Sequence, residues 1–268
     1  MTGKIRIALG LEYDGTAFSG WQSQRSAPAV QTLVEAALSP VAAEIVSLIC
    51  AGRTDAGVHA CAQVAHFDTH ARRSARGWVL GANTNLPADV SVAWARPVPQ
   101  HFHARYSAEA RTYRYYVFNR PVRSALSVRG AAWIRQPLDH ERMQSATAAL
   151  LGSHDFSAFR SAQSQSHTPT RRVEALAVRR DGDFVVMEIT ANAFLHHMVR
   201  NIAGLLIAIG QGDQDPSWAR EVLESKDRTQ GGPTAPAQGL YLWSVRYCRA
   251  FGLPATRSAM IAALPWGD

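Results

Sequence analysis

Two apolar runs, Glu44 to Cys50 and Cys61 to Phe67, flank the segment Ala51-Gly52-Arg53-Thr54-Asp55-Ala56-Gly57-Val58-His59-Ala60. This arrangement constrains the chain more than any other feature. Each run has the length and β-branched character of a buried strand, so the segment between them must turn the chain. Gly52 and Gly57 permit backbone angles that other residues avoid, which allows the Asp55 carboxylate to be held at a tight loop tip. Loops mounted on rigid strands carry a disproportionate share of catalytic groups. The same local pattern also fits an ordinary solvated turn.

The rest of the chain repeats an alternation of strand and helix. Ile5, Ile7, Leu9 and Leu11 alternate as in a half-buried strand that ends at Asp14-Gly15. A polar-aromatic loop, Thr16 to Gln22, follows. Gln31 to Leu38 predicts a short helix stopped by Ser39-Pro40, and Ser74 to Asn83 a second with Ser74 as N-cap. Val90 to Ala95 is a further strand. The second part has the same order: a strand at Ala110 to Asn119, and a helix at Leu138 to Leu151 capped by Asp139. A hairpin, Val173 to Arg179 with Phe184 to Thr190, turns at Asp181-Gly182. A helix from Phe194 to Ile209, capped by Asn192 and ended by Gly210, and a last strand at Leu240 to Tyr247 complete it.

The expected fold is α+β: two ferredoxin-like (RNP-like, βαββαβ) domains with antiparallel sheets and the active site in a cleft between them. The expected domains are residues 1–104, carrying the Asp55 loop, and 105–250, with 251–268 a tail of unassigned role.

Composition narrows the function. Hydrophobic residues make up 47% and charged residues 18%, the balance of a globular chain with a real core. No apolar run approaches the roughly 18 residues of a membrane span, and the N-terminal stretch reads as a strand, so the expected location is cytoplasmic, away from membranes. Cys50, Cys61 and Cys248 are too scattered for a disulfide framework. The net charge is +7, and Lys4 and Lys226 are the only lysines. Arginine grips phosphate bidentately and stacks on bases, so a nucleic-acid partner is favoured. A genome rich in G and C also favours arginine and alanine and would give the same bias.

Three further groups bear on chemistry. Along Ala110 to Tyr116, alternation puts Arg111, Tyr113 and Tyr115 on one face, the π-plus-cation pattern that receives unstacked bases. Tyrosines packing into a core give the same alternation. Arg200, on an otherwise apolar helix, calls for a carboxylate partner or an exposed stripe. His59, Cys61, His66 and His70 do not converge on one strand face, so a structural zinc site is not expected. Phosphate-binding glycine loops and a nucleophilic-serine elbow are absent. A single carboxylate, working without metal or cofactor, is left as the reactive group.

Six segments resemble the TruA family of tRNA pseudouridine synthases. They are Gly52 to Ala60, Phe102 to Ala108, Arg111 to Tyr115, Asp155 to Arg160, Asn192 to Arg200 and Ala235 to Leu240. They keep the family's order and spacing from about residue 5 to residue 247; Thr112 stands where many relatives carry a basic residue. The resemblance implies isomerisation of uridine to pseudouridine at positions 38 to 40 of the anticodon stem-loop, without cofactor or metal, by a homodimer.

By the same resemblance, Asp55 is the nucleophile, attacking C1′ of the ribose or C6 of the base. Arg200 is its ion-pair partner, Tyr113 stacks on the target uridine, and Arg53 fills the stack once the base is flipped. Arg105, Arg111 and Arg114 are expected to contact the RNA. Two other functions compete: a non-catalytic RNA-binding module, in which Asp55 is only a turn residue, and a small-molecule enzyme, which leaves the positive charge unexplained.

Overall fold

The computed structural model describes residues 3–162 and 168–254. The chain forms a mixed α+β fold of two compact units. One comprises the chain up to Glu109 together with the residues from Leu242 onward; the other is Ala110–Tyr241. No described helix is long and apolar enough to cross a membrane.

In the first unit, β1 (Ile5–Tyr13) lies between β3 (His59–Thr69) and β4 (Val90–Val98), antiparallel to both. The short β2 (Ile49–Cys50) pairs with β3, and β10 (Leu240–Tyr247) also lies beside β3. Helices α1 (Val30–Ala42) and α2 (Ala75–Asn85) complete the unit. Ser74 caps α2, its hydroxyl accepting the Gly77 amide at 3.0 Å. Ala8, Ala51, Val64, Phe102 and Ala104 form a buried cluster beneath Trp94, Val245, Tyr247 and Phe251. The Phe251 ring meets Phe102 edge-on at 5.0 Å. The expected tail therefore begins as core; residues 255–268 lie outside the described residues.

Three expectations for this unit are corrected. Glu44 to Leu48 is not a strand, because polar groups there, side chain and backbone, serve other partners. The Glu44 carboxylate accepts the His70 amide at 2.7 Å, and the Leu48 amide donates to Glu35 at 2.8 Å. Pro40 does not stop α1 but sits in its last turn; the chain leaves through Ala43 in the left-handed region. Of the two loop glycines only Gly57 uses a positive φ, 76°.

In the second unit, β9 (Phe184–Ala191) lies between β5 (Ala108–Asn119) and β8 (Thr170–Asp181), antiparallel to both, and β7 (Gly152–Asp155) continues the sheet from β8. The β6 strand (Ala132–Ile134) pairs parallel with β5. Helices α3 (His140–Thr147), α4 (Met198–Gln211) and α5 (Trp218–Ser225) accompany the sheet. Asp139 caps α3 by accepting the Glu141 and Arg142 amides, both at 3.0 Å.

The helix bearing Arg200 begins later than its apolar pattern suggests. Asn192 does not cap it: its side-chain oxygen accepts the Arg172 amide at 2.9 Å, beside β8. The chain stays irregular until His197, at φ 63°, turns it into α4, which runs to Gln211 with Gly212 as C-cap. Arg200 thus falls in the first turn rather than two turns in. The first compact unit runs to Glu109, and Leu242 to Tyr247 belong with it through β3.

Candidate active site

The Asp55 loop is fixed from below and from the side. Between β2 and β3 the backbone of Gly52 is held at both ends by one buried side chain: Gln63 donates to the Gly52 carbonyl at 2.6 Å and accepts its amide at 3.4 Å. The Thr54 hydroxyl bonds the Tyr13 hydroxyl at 2.8 Å inside the unit. The Val58 amide closes the turn onto the Asp55 carbonyl at 3.1 Å, with Gly57 at its corner. Asp55 is half-buried and Arg53 exposed at the tip.

The polar-aromatic loop Thr16 to Gln22 forms the lateral support. The Trp21 amide donates to the Thr54 carbonyl at 3.0 Å and the Gly57 amide to the Phe18 carbonyl at 3.2 Å. Gly20, at φ 97°, approaches so closely that a Cβ there would lie 2.5 Å from the Thr54 carbonyl oxygen. Only glycine meets both demands. The sequence marked this loop as aromatic without assigning it a task; its task is to brace the Asp55 turn.

Three titratable groups on β2 and β3 are otherwise engaged. Burial pushes the Cys50 thiol up to about 12, so it stays protonated and inert near neutral pH. The His59 ring nitrogen accepts the Gly15 amide at 3.1 Å and that of His66 the Ala104 amide at 3.1 Å. Each ring thus ties a backbone amide of the first unit in place.

Arg105 is exposed, its guanidinium 5.5 Å from the centre of the Tyr106 ring. Tyr106 is 76% exposed and its other neighbour is the His103 ring at 4.3 Å. An exposed cation–aromatic stack of this kind suits an unstacked base. Sequence reasoning named Arg105 and passed over Tyr106, although the two adjoin in Phe102 to Ala108.

In the second unit β5 carries the remaining candidates. Tyr113 is 7% exposed, its ring edge-on to Phe194 at 5.0 Å. Arg111 is buried and donates to the Asn192 carbonyl at 2.8 Å. Arg114 pairs with Glu188 across the strand at 2.5 Å, so its charge is compensated within the unit. Tyr115 is core: its hydroxyl donates to the Pro236 carbonyl at 2.8 Å, and burial raises its phenol far above the usual range. All three tyrosines of the strand, Tyr113, Tyr115 and Tyr116, are buried.

Arg200 is held by the segment Gly231 to Ala235. Its Nε donates to the Ala235 carbonyl at 2.8 Å, and the Ala235 amide returns to the Arg200 carbonyl at 3.1 Å. Asn201, 3% exposed, secures the segment. Its oxygen accepts the Thr234 hydroxyl at 2.7 Å and Arg228 at 3.1 Å, while its amide donates to the Phe159 carbonyl at 2.8 Å. Gly204 lets the strap lie close, since a Cβ there would sit 1.8 Å from the Pro233 carbonyl oxygen. Asn201, Thr234 and Gly204 were not singled out from sequence; the only signal was a polar residue inside an apolar helix.

Comparisons with known proteins identify the family. Residues 11–107 and 146–248 match the family described as tRNA pseudouridine synthase. Three relatives carry the name tRNA pseudouridine synthase A. The protein of Methylococcus capsulatus is 58% identical over 261 residues, covering 97% of this chain and 96% of the relative. That of Coxiella burnetii is 56% identical over 249 residues, covering 93% and 95%. That of Pseudomonas aeruginosa is 52% identical over 253 residues, covering 94% and 89%. At this identity, over more than nine-tenths of its length, the chain belongs to the tRNA pseudouridine synthase family.

Proposed function

We propose that this chain isomerises uridine to pseudouridine at positions 38, 39 and 40 in the anticodon stem-loop of tRNA. The observation that carries the proposal is family identity along nearly the full length, joined to a carboxylate on a braced glycine turn. In the reaction the N1–C1′ bond of the nucleotide breaks, the uracil turns, and a C5–C1′ bond forms. N1 gains a proton and C5 loses one, so the change is an isomerisation with no external reactant.

Asp55 is the proposed nucleophile, toward C1′ or C6. Arg200 is its proposed cation, favouring the ionised form and orienting it. Support for this role is the fixed geometry of Arg200, whose Nε is engaged by Ala235 while the terminal nitrogens carry further donors. Tyr113 is proposed to stack on the target base, supported by its ring being set by Phe194. Arg53, exposed at the loop tip, is proposed to occupy the space of the flipped base, an extrusion costing a few kcal/mol. Arg105, with Tyr106, is the more accessible of the proposed RNA contacts, and Arg111 and Arg114 are proposed contacts on β5.

The proposal includes two ferredoxin-like domains, a homodimer and a cytoplasmic location. The order β4, β1, β3 with α1 and α2 in the first unit supports the ferredoxin-like reading.

The test uses unmodified tRNA transcript with uridine at positions 38 to 40, incubated with wild type and with Asp55→Ala, followed by chemical adduct formation and primer extension. Stops at those positions with wild type alone are expected. Tight tRNA binding with no stops from either protein would replace the enzyme by an RNA-binding module.

A further inference from the structure

The end of the first unit opposite the Asp55 loop carries a cluster of cations that the catalytic proposal does not use. Lys4, Arg72, Arg73 and Arg76 are all exposed. From Thr69 to Ala88 the sequence contains no acidic residue. Among the described residues none of the four forms an ion pair. Asp68 is bidentate with Arg6, at 2.8 and 2.7 Å, with Lys4 a weaker influence on its carboxyl, and Glu44 is bonded by Thr69 and His70.

Two of these arginines are nonetheless fixed. Arg72 donates to the Gly3 carbonyl at 3.0 Å, and Arg73 to the Val41 carbonyl at 3.1 Å and the Arg72 carbonyl at 3.2 Å. Arg76 lies in the first turn of α2, where the peptide dipoles already present positive charge. Like charges held side by side without an ion pair cost the fold stability. Guanidiniums fixed on backbone carbonyls, with N–H groups left over, are ordered in advance for phosphate.

The position is remote from the chemistry. β1 pairs Ile5 with Thr69 at one end and Tyr13 with Ala60 at the other. Nine residues of strand separate those ends by roughly 26 Å. Asp55 lies past the Tyr13 end, where Thr54 meets Tyr13, and Arg72 past the Thr69 end. With a screening length of about 8 Å at physiological salt, the cluster has no electrostatic influence on Asp55.

We infer that Arg72, Arg73 and Arg76, with Lys4, form a second contact surface for the sugar-phosphate backbone of the RNA substrate, some distance from the reacting nucleotide. The inference rests on the tRNA reading above and extends it: RNA is held at two separated places on one unit. This surface contributes affinity without touching the reaction.

The experiment compares wild type, the Arg72→Ala/Arg73→Ala/Arg76→Ala variant and the corresponding triple lysine variant. Binding of full-length tRNA transcript is measured from about 50 to 300 mM KCl, with single-turnover pseudouridine formation at saturating enzyme. Thermal melting checks the fold, and single alanine variants substitute for the triple variant if it melts early.

The alanine variant is expected to bind tRNA about 10-fold or more weakly near 150 mM salt. Its log–log salt slope should be shallower by about 2 to 3, at roughly 0.7–0.9 per lost phosphate contact. The single-turnover rate should be unchanged, and the lysine variant should recover the slope. Wild-type affinity and slope in the alanine variant would overturn the inference. So would a loss of rate with affinity intact, or a defect seen on anionic lipid vesicles and not on tRNA. If instead wild type itself forms no pseudouridine while its salt slope still depends on these arginines, the catalytic proposal falls and the binding surface stands.

Discussion

The ring of Tyr113 stands edge-on to that of Phe194, centroids 5.0 Å apart and planes at 83°. Phe194 comes from the irregular stretch between β9 and α4, the stretch that replaced the expected first turns of the helix. The late start of α4 therefore has a consequence: it supplies a side chain that fixes the aromatic ring proposed to meet the base. Edge-to-face pairs add about 0.5–1.5 kcal/mol beyond burial.

Phe194→Ala is expected to slow single-turnover pseudouridine formation by about 3- to 10-fold, the rate equivalent of that pair energy. Affinity for tRNA should stay within about twofold. Tyr113→Phe keeps the edge-on ring and should fold as wild type. A Phe194→Ala rate equal to wild type would show that the pairing does not position Tyr113.

Gly20→Ala tests the brace under Asp55. The residue sits at φ 97° and its Cβ would meet the Thr54 carbonyl. The backbone angle alone costs about 1–3 kcal/mol in a non-glycine residue. A drop of several degrees in melting temperature is expected, with turnover falling further than the remaining folded fraction explains. Unchanged turnover in the folded fraction would mean that the Asp55 turn holds without the loop.

The strap over α4 is tested by Thr234→Val and Asn201→Ala. Each leaves buried polar groups unpaired, at about 1–3 kcal/mol. Because both act on one network, the double variant should lose less stability than the sum, by about 0.5 kcal/mol or more. Turnover should fall about 10-fold, with the KM for tRNA nearly constant, as expected if the strap acts by aiming Arg200. Additive losses with wild-type turnover would reduce the strap to a packing element.

His66 gives the first unit a pH dependence. Burial, helped by the charges of Arg6 and His103, lowers its pKa from 6.5 to about 4. The folded state thus favours the neutral ring, and the unfolded chain binds the proton more readily. This contribution is complete above about pH 6.5 and is lost as pH falls toward 4. His103, also lowered by burial, acts in the same direction. Urea unfolding at pH 7.5, 6.0 and 5.0 should show falling stability, and His66→Gln should flatten the trend. An equally steep trend in that variant would assign the pH dependence elsewhere.

Much of this was legible in the chain because it is local. Period-two alternation located β1, β5 and the β8–β9 hairpin, and short-range chemistry located the Ser74 and Asp139 caps. The resemblance carried by six short segments led to the family that the comparisons then established. Where local signals had a competitor far along the chain, the competitor won. Asn192 looked like a helix cap and instead received the amide of Arg172. Glu44 to Leu48 had a strand's composition, but its polar groups were taken up by Glu35, Thr69 and His70.

The sequence by itself determined the element types, the family and the presence of one carboxylate on a glycine-cornered turn, since these depend on residues a few positions apart. Only the tertiary structure decided what the Tyr115 hydroxyl bonds, which loop braces Asp55, and what holds Arg200. Each of those rests on hydrogen bonds between residues far apart in sequence: Tyr115 with Pro236, Trp21 with Thr54, Arg200 with Ala235. Buried polar groups must find partners wherever the folded chain brings them, and no local periodicity encodes that choice.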